Sequence, residues 1–414
     1  MKLGAFLAPG FLRADMSFEQ EEPSGPKPEL PYEQTVLVLQ GGGALGAYQA
    51  GAYEVLHAEG VEPDWIAGIS IGAINAAIIA GNARQDRVGR LREFWAEMST
   101  DIPGGSLAGL VPGDPSSLTF RSFSGFLSLA AGVKAMFRPW FVLPWFNRPG
   151  TPEATSFYDT RPLRDTLLRH VDFDRINSGK VRLSLGAVNV RTGNFAYFDT
   201  QEPGRKIGPE HVMASAALPP GFPAVEIDGE AYWDGGLVSN TPLSYVLDSG
   251  VAKDTLVFQI DLFSAQGPLP QTLDEVQERI KDITYSSRTR MNTDAFLEKY
   301  RLRHAIRALA DHVSQADRER LCGGDLPADF FSGPNASLLE GEGRVSLVHI
   351  INRANRHEIQ SKDFDFWRNS VQAHWRDGMD DARAAMQAKA WRTLADRDTG
   401  LAVYDYMRPD KTLS

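Results

Sequence analysis

The sequence predicts an α/β protein built on a mainly parallel sheet, followed by a mostly helical C-terminal extension. Three observations carry that expectation. Two short buried-strand runs, 35–39 and 65–69, each end in a glycine-bearing turn and pass into helix-forming sequence. Strand, helix, strand, helix is the order that builds a parallel sheet with helices on both faces. From about residue 270, apolar residues recur at helical spacing through two long charged segments.

Taken in order, residues 1–33 read as a flexible leader. The apolar run at the start holds one lysine and is interrupted by Pro9 and Gly10, and residues 16–33 are acidic and proline-rich. The run resembles a secretory signal only faintly. No stretch reaches the roughly 18 uncharged apolar residues that span a bilayer. The single cysteine, Cys322, rules out an internal disulfide and a cysteine-based metal cluster. A reducing, cytoplasmic setting is therefore expected. The formal net charge of −10 leaves no basic stripe for phosphates, so nucleic acid is not an expected partner. No metal-ligand cluster is visible, and neither a metal nor another cofactor is expected.

Next comes the main domain, expected over 34–270. Its first strand runs into Gly41-Gly42-Gly43-Ala44-Leu45-Gly46, a formal match to G-x-G-x-x-G. One use of such a loop is dinucleotide binding, which would make the protein an oxidoreductase. That use requires an acidic residue at the end of the second strand to hold the ribose. Here Glu62 and Asp64 precede the second strand instead. The other use is an oxyanion hole, because successive glycines turn backbone N–H groups toward one point at a helix N-terminus.

The second strand ends in Gly68-Ile69-Ser70-Ile71-Gly72, followed by the helix former AINAAIIA. Strand, tight turn and helix around G-x-S-x-G lift a serine hydroxyl clear of the sheet as a nucleophile. Gly68 and Gly72 are small because strand and helix crowd the turn. Ser70 then needs a base. The histidines that follow it are His170, His211, His304, His312, His349, His357 and His374. None sits in a glycine-bracketed loop, and His349 in LVHII reads as a packed core residue.

A carboxylate is better placed. After a strand at 181–190, residues 225–236 read VEIDGEAYWDGG, with Asp228-Gly229 as a hairpin turn. The returning strand ends at Asp234, freed by Gly235 and Gly236. A partly desolvated aspartate there would have its pKa raised toward the range of a general base. A further strand follows at 255–260.

Together, GGGALG, GISIGAINA and ASAALPPGFPAVEIDGEAYWDGG resemble the patatin-like phospholipases in order and spacing, over about residues 35–264. The resemblance implies a three-layer α/β/α core and a Ser–Asp dyad without histidine. Ser70 would be the nucleophile and Asp234 its base, with Gly41, Gly42 and Gly43 lining the oxyanion hole and Gly46, Gly68, Gly72, Gly235 and Gly236 supporting the motifs. The substrate would be a lipid ester. Many members carry Arg or Lys where this chain has Leu45, so help from a cation at that position is absent. A lipid-binding relative with weak turnover is the non-catalytic alternative, although both dyad residues are intact.

Within the main domain, residues 106–150 hold eight aromatics: Phe120, Phe123, Phe126, Phe137, Trp140, Phe141, Trp145 and Phe146. Arg121, Lys134, Arg138 and Arg148 oppose the single Asp114. Basic plus aromatic is the composition of a surface that meets lipid headgroups, giving peripheral membrane contact. The same residues could instead pack a lid over the active site. Last, the extension 271–414 shows two amphipathic helical stretches, a strand at 344–351 and a charged helix at 363–396. It contains no chemical motif.

Overall fold

The computed structural model describes residues 30–99, 132–249, 253–322, 324–326, 343–353 and 362–406. The leader before residue 30 and the stretch 106–131, with Phe120, Phe123 and Phe126, therefore lie outside the described residues.

Among the described residues one mixed sheet of nine strands organises the chain. Its parallel part comprises β1 (Gln34–Leu39), β2 (Trp65–Ile69), β5 (Arg182–Asn189), β9 (Thr255–Asp261), β10 (Val345–Ile351) and β11 (Leu401–Asp405). A two-stranded ribbon, β3 (Arg138–Pro139) with β4 (Tyr158–Asp159), stands apart from it. β6 (Phe195–Asp199) and β8 (Glu230–Asp234) both pair antiparallel with β5, and β7 (Val225–Ile227) pairs with β8. The central strands are near-continuous apolar runs because helices cover both faces.

β1 shows the layers directly. Leu37 and Leu39 join the larger core with α1 (Gly46–Ala58), α2 (Ile71–Ala80) and α3 (Arg87–Met98). Val36 and Val38 point the other way, against Leu243, Val246, Phe296 and Tyr300. This alternation is the strand period of two, and it makes a three-layer α/β/α core. α4 (Arg161–His170) adds Leu163 and Leu167 to the larger core.

The C-terminal region is mostly helical, as expected, with α5 (Leu273–Tyr285), α6 (Thr289–Asp311) and α7 (Arg368–Gln387). It also supplies β10 and β11 to the same sheet. α7 is more than a charged surface helix: Val371, Trp375, Met379, Ala382 and Met386 form a buried face against α1. The two helices touch at glycines. A Cβ on Gly51 would lie 2.0 Å from the Trp375 carbonyl, and one on Gly378 2.0 Å from that of Tyr48. Polar groups then register the pair, Tyr48 with Asp381 at 2.8 Å and Trp375 Nε1 with Glu54 at 2.8 Å.

Candidate active site

β2 delivers Ser70 to the top of the sheet in a strained backbone conformation, φ 57° and ψ −125°. For a non-glycine residue such a conformation costs about 1–3 kcal/mol and persists only where its surroundings enforce it. The enforcement is visible. A Cβ on Gly72 would lie 2.4 Å from the Leu39 carbonyl, and one on Gly68 2.4 Å from the Gly72 carbonyl, so strand and helix meet with no room for side chains. The Ser70 N–H donates to Ser215 Oγ at 3.1 Å, and Ser215 Oγ donates to the Gly186 carbonyl at 2.6 Å. Ser215 thereby ties the serine turn to β5. α2 begins immediately after the serine, as the elbow requires.

The sheet explains how an aspartate distant in sequence reaches that serine. Residues Ser184–Gly186 of β5 pair with β2 on one side and with β6 on the other. β8 pairs with Ala187–Asn189 while β6 still holds Ala187 and Val188. β8 therefore shares the β2 edge of β5 and runs antiparallel toward it. Ile69 pairs with Gly186 and Asp234 with Ala187, so the two strand ends meet head on. The hairpin that returns β8 turns at Asp228 and Gly229, with φ 52° and 80°, the two positive angles that a type I′ turn needs. Gly235 then slips past the Gly186 carbonyl, 2.7 Å from where its Cβ would be.

Asp234 is buried, at 2% exposure. Its carboxylate accepts from the Gly236 N–H at 2.7 Å and lines the same cleft as Ser70. Burial pushes its pKa up to about 7, against the lowering effect of the Ser70 hydroxyl and the Gly236 N–H.

The glycine loop stands beside this pair. A Cβ on Gly41 would lie 3.0 Å from Ser70 Cβ, so the loop approaches the serine closely. The Gly41 N–H is bonded to the Asn240 carbonyl at 3.1 Å. All three glycines line the cleft, as the resemblance implies, but their N–H groups differ in what they bond. The N–H groups of Gly42 and Gly43 have no hydrogen-bond partner among the described residues. Gly43 holds φ +55° and opens the turn Gly43–Leu45 that leads into α1. Gly46 packs against Ile71 and Trp95, and Leu45 is buried.

These elements surround a solvent-open cleft with a mostly apolar wall. Ser70, Asp234 and the three loop glycines line one side, Met136, Phe137, Leu218 and Phe222 another. The family model described as patatin-like phospholipase matches residues 37–247, half of the chain and all of these motifs. The chain belongs to the patatin-like phospholipase family. A second model, described as patatin phospholipase, matches residues 283–398. Among solved structures, VipD from Legionella pneumophila aligns at 12% identity with a TM-score of 0.30, over 85% of this chain and 69% of that one. No curated protein matches.

The C-terminal region brings to the family core what its sequence did not advertise. Lys281, Tyr285, Asp363, Phe364 and Phe366 all line the cleft. Lys281 pairs with Asp363 at 2.7 Å and lies 5.3 Å from the Phe364 ring centre, so a cation does line the cleft, though not at position 45. Asn240 was missed too; its only signal is its place four residues after the last glycine of the Asp-Gly-Gly turn. Among the described residues no histidine lines the cleft. His349 is buried against Asp261 at 2.5 Å, His170 bonds Glu97 and His211 accepts from the Gly208 N–H. His357 lies outside the described residues. Neither carboxylate before β2 serves a ribose: Glu62 bonds His57 and Arg87, and Asp64 accepts from the Thr35 N–H.

Proposed function

We propose that the protein is a serine lipid acyl hydrolase of phospholipase A, lysophospholipase or esterase type, acting through Ser70 and Asp234 without a histidine. Membership of the patatin-like phospholipases supports lipid acyl hydrolysis in general. The observation that carries the finer reading is a buried carboxylate with pKa near neutrality, brought by strand register into the same cleft as a serine on a strained elbow. Ser70 Oγ attacks the ester carbonyl carbon while Asp234 takes its proton. The carbonyl oxygen becomes an oxyanion facing the Gly42 and Gly43 N–H groups, and the start of α1 favours that charge. Collapse expels the alcohol, which receives the proton from Asp234, and leaves an acyl-Ser70 ester. Water then attacks the acyl carbon, Asp234 again takes a proton, and the fatty acid leaves as the serine is restored.

A pH profile on a panel of lipid and p-nitrophenyl esters tests this reading. A protonated carboxyl cannot accept the serine proton, so activity is lost as pH falls through the pKa of Asp234. The expected kcat/KM rises with a single ionisation near 7 and stays level above it. A profile already level from pH 5 upward would remove Asp234 as the base.

Peripheral membrane contact is proposed for the described part of the aromatic insertion. Phe137 packs inward on Tyr158 and Phe222, whereas Phe141, Trp145 and Phe146 are 104%, 74% and 79% exposed. Leu273, Ile280 and Ile283 add exposed apolar surface on α5, the helix that brings Lys281 and Tyr285 to the same cleft. Such surface beside an apolar cleft suits a lipid interface. Trp140 is the wrong probe, because its indole N–H bonds Ser156 at 3.0 Å. Replacing Phe141 and Trp145 with serine is expected to weaken sedimentation with phospholipid vesicles while sparing turnover of p-nitrophenyl butyrate. Unchanged sedimentation would leave these side chains without a role at lipid.

A further inference from the structure

The glycine loop has a dedicated clamp. The Gly41 N–H donates to the Asn240 backbone carbonyl at 3.1 Å, and Asn240 Nδ2 donates back to the Gly41 carbonyl at 3.0 Å. These two bonds join positions 199 residues apart, and Asn240 is only 8% exposed. The Asn240 amide also donates to the Tyr285 carbonyl at 3.0 Å, at the last residue of α5. Gln40 Nε2, one residue before the loop, donates to that same carbonyl at 2.8 Å. The Asn240 side-chain oxygen sits 2.4 Å from where a Gly41 Cβ would be and 3.0 Å from where a Gly236 Cβ would be. Asn240 therefore lies between the oxyanion loop and the Asp-Gly-Gly turn and touches both.

Peptide geometry gives the clamp its consequence. In a trans peptide the C=O and the following N–H point in opposite directions within one plane. Pinning the Gly41 carbonyl toward Asn240 aims the Gly42 N–H away from it. Three successive glycines would otherwise leave that plane free to rotate, since glycine loses more backbone freedom on ordering than any other residue. We propose that Asn240 is a positioning residue for the hydrolysis inferred above, holding the Gly41–Gly42 peptide so that the Gly42 N–H meets the oxyanion. It touches no reacting atom. It links donor, base turn and C-terminal region through one amide, so the region after residue 270 helps set the catalytic loop.

The test compares full-length Asn240→Ala with wild type. Mispositioning one oxyanion donor is expected to lower kcat on p-nitrophenyl butyrate by about 100-fold. KM is expected to stay within about threefold, because the donor acts on the transition state more than on the substrate. Affinity for a trifluoromethyl ketone, whose serine adduct carries an oxyanion, should fall by a similar factor. A methyl ketone of equal chain length should bind as before. A merely structural role would weaken both ketones together or raise KM, and either result overturns the proposal, as does unchanged kcat. If Asn240→Ala fails to fold, Asn240→Leu removes the donor at similar volume without adding charge and is judged by the same measurements. Hydrogen exchange over residues 40–46 reads the clamp without chemistry and is expected to quicken by about tenfold or more in the variant. Wild-type protein that cleaves no ester would remove the hydrolase reading alone; unchanged exchange would remove the clamp.

Discussion

Purified Ser70→Ala protein is expected to lose ester hydrolysis and fluorophosphonate labelling together while keeping its wild-type melting temperature. Alanine tolerates the φ of 57° no worse than serine does, and the hydroxyl contributes little packing at the rim of a cleft. Asp234→Asn should cost as much, on the order of 10⁴-fold in kcat, because an amide cannot accept the serine proton. The double variant should be scarcely worse than either single, since residues that act as one unit are non-additive. Histidine variants provide the contrast. With turnover normalised to active-site concentration, each His→Ala change after Ser70 should leave kcat within about tenfold, ~1.4 kcal/mol of barrier. His349→Ala is the most informative of them. It leaves the buried Asp261 with Gln259 as its side-chain partner, so it should lower stability without touching the chemistry. A histidine whose loss equals that of Ser70, beside a nearly active Asp234→Asn, would replace the dyad with a conventional triad.

Gly43→Ala should lower kcat by roughly 10²-fold or more and destabilise the fold at the same time. Its φ of +55° is costly for any residue with a Cβ, and that Cβ would sit 2.1 Å from the Asp363 carbonyl. Backbone on both sides leaves nothing flexible to yield, so either the loop or the turn Lys362–Phe364 must move. Moving the loop displaces a donor; moving the turn displaces Asp363 and Phe364 from the cleft wall. Gly204→Ala separates the two causes. Gly204 has a comparable φ of +79° with open space around it, so that change carries backbone strain alone and should leave kcat intact. Equal kcat values for Gly43→Ala and wild type would show that this loop has no part in catalysis.

The backbone geometry of the candidate site was legible in three short stretches because each signal is local. Glycines around Ser70 permit a sharp turn between strand and helix, Asp228-Gly229 reverses a strand, and Gly235-Gly236 free the aspartate. Such signals operate over a few residues and need no knowledge of the rest of the chain. The same holds for the α/β class, which follows from the alternation of apolar runs with helical periodicity, and for the strand at 344–351. The limits of local signals appear just as clearly. GGG announces three equivalent glycines, yet Gly41 spends its N–H on a carbonyl 199 residues away. α7 reads as a charged helix until its Trp375 face is docked on α1. β11 and β6, five residues each, are too short to stand out from their flanks.

The sequence by itself determined which residues carry reactive groups and how the backbone bends beside each of them. Only the tertiary structure decided that these bends meet. Ser70 and Asp234 face one another because β2 and β8 occupy the same edge of β5 from opposite directions, in a register set by every pair along those strands. It also decided that Asp234 is buried enough to hold its pKa near 7, and that Lys281, Tyr285 and Asp363 wall the cleft. Register and burial are sums over many distant contacts, and no single stretch of residues contains them.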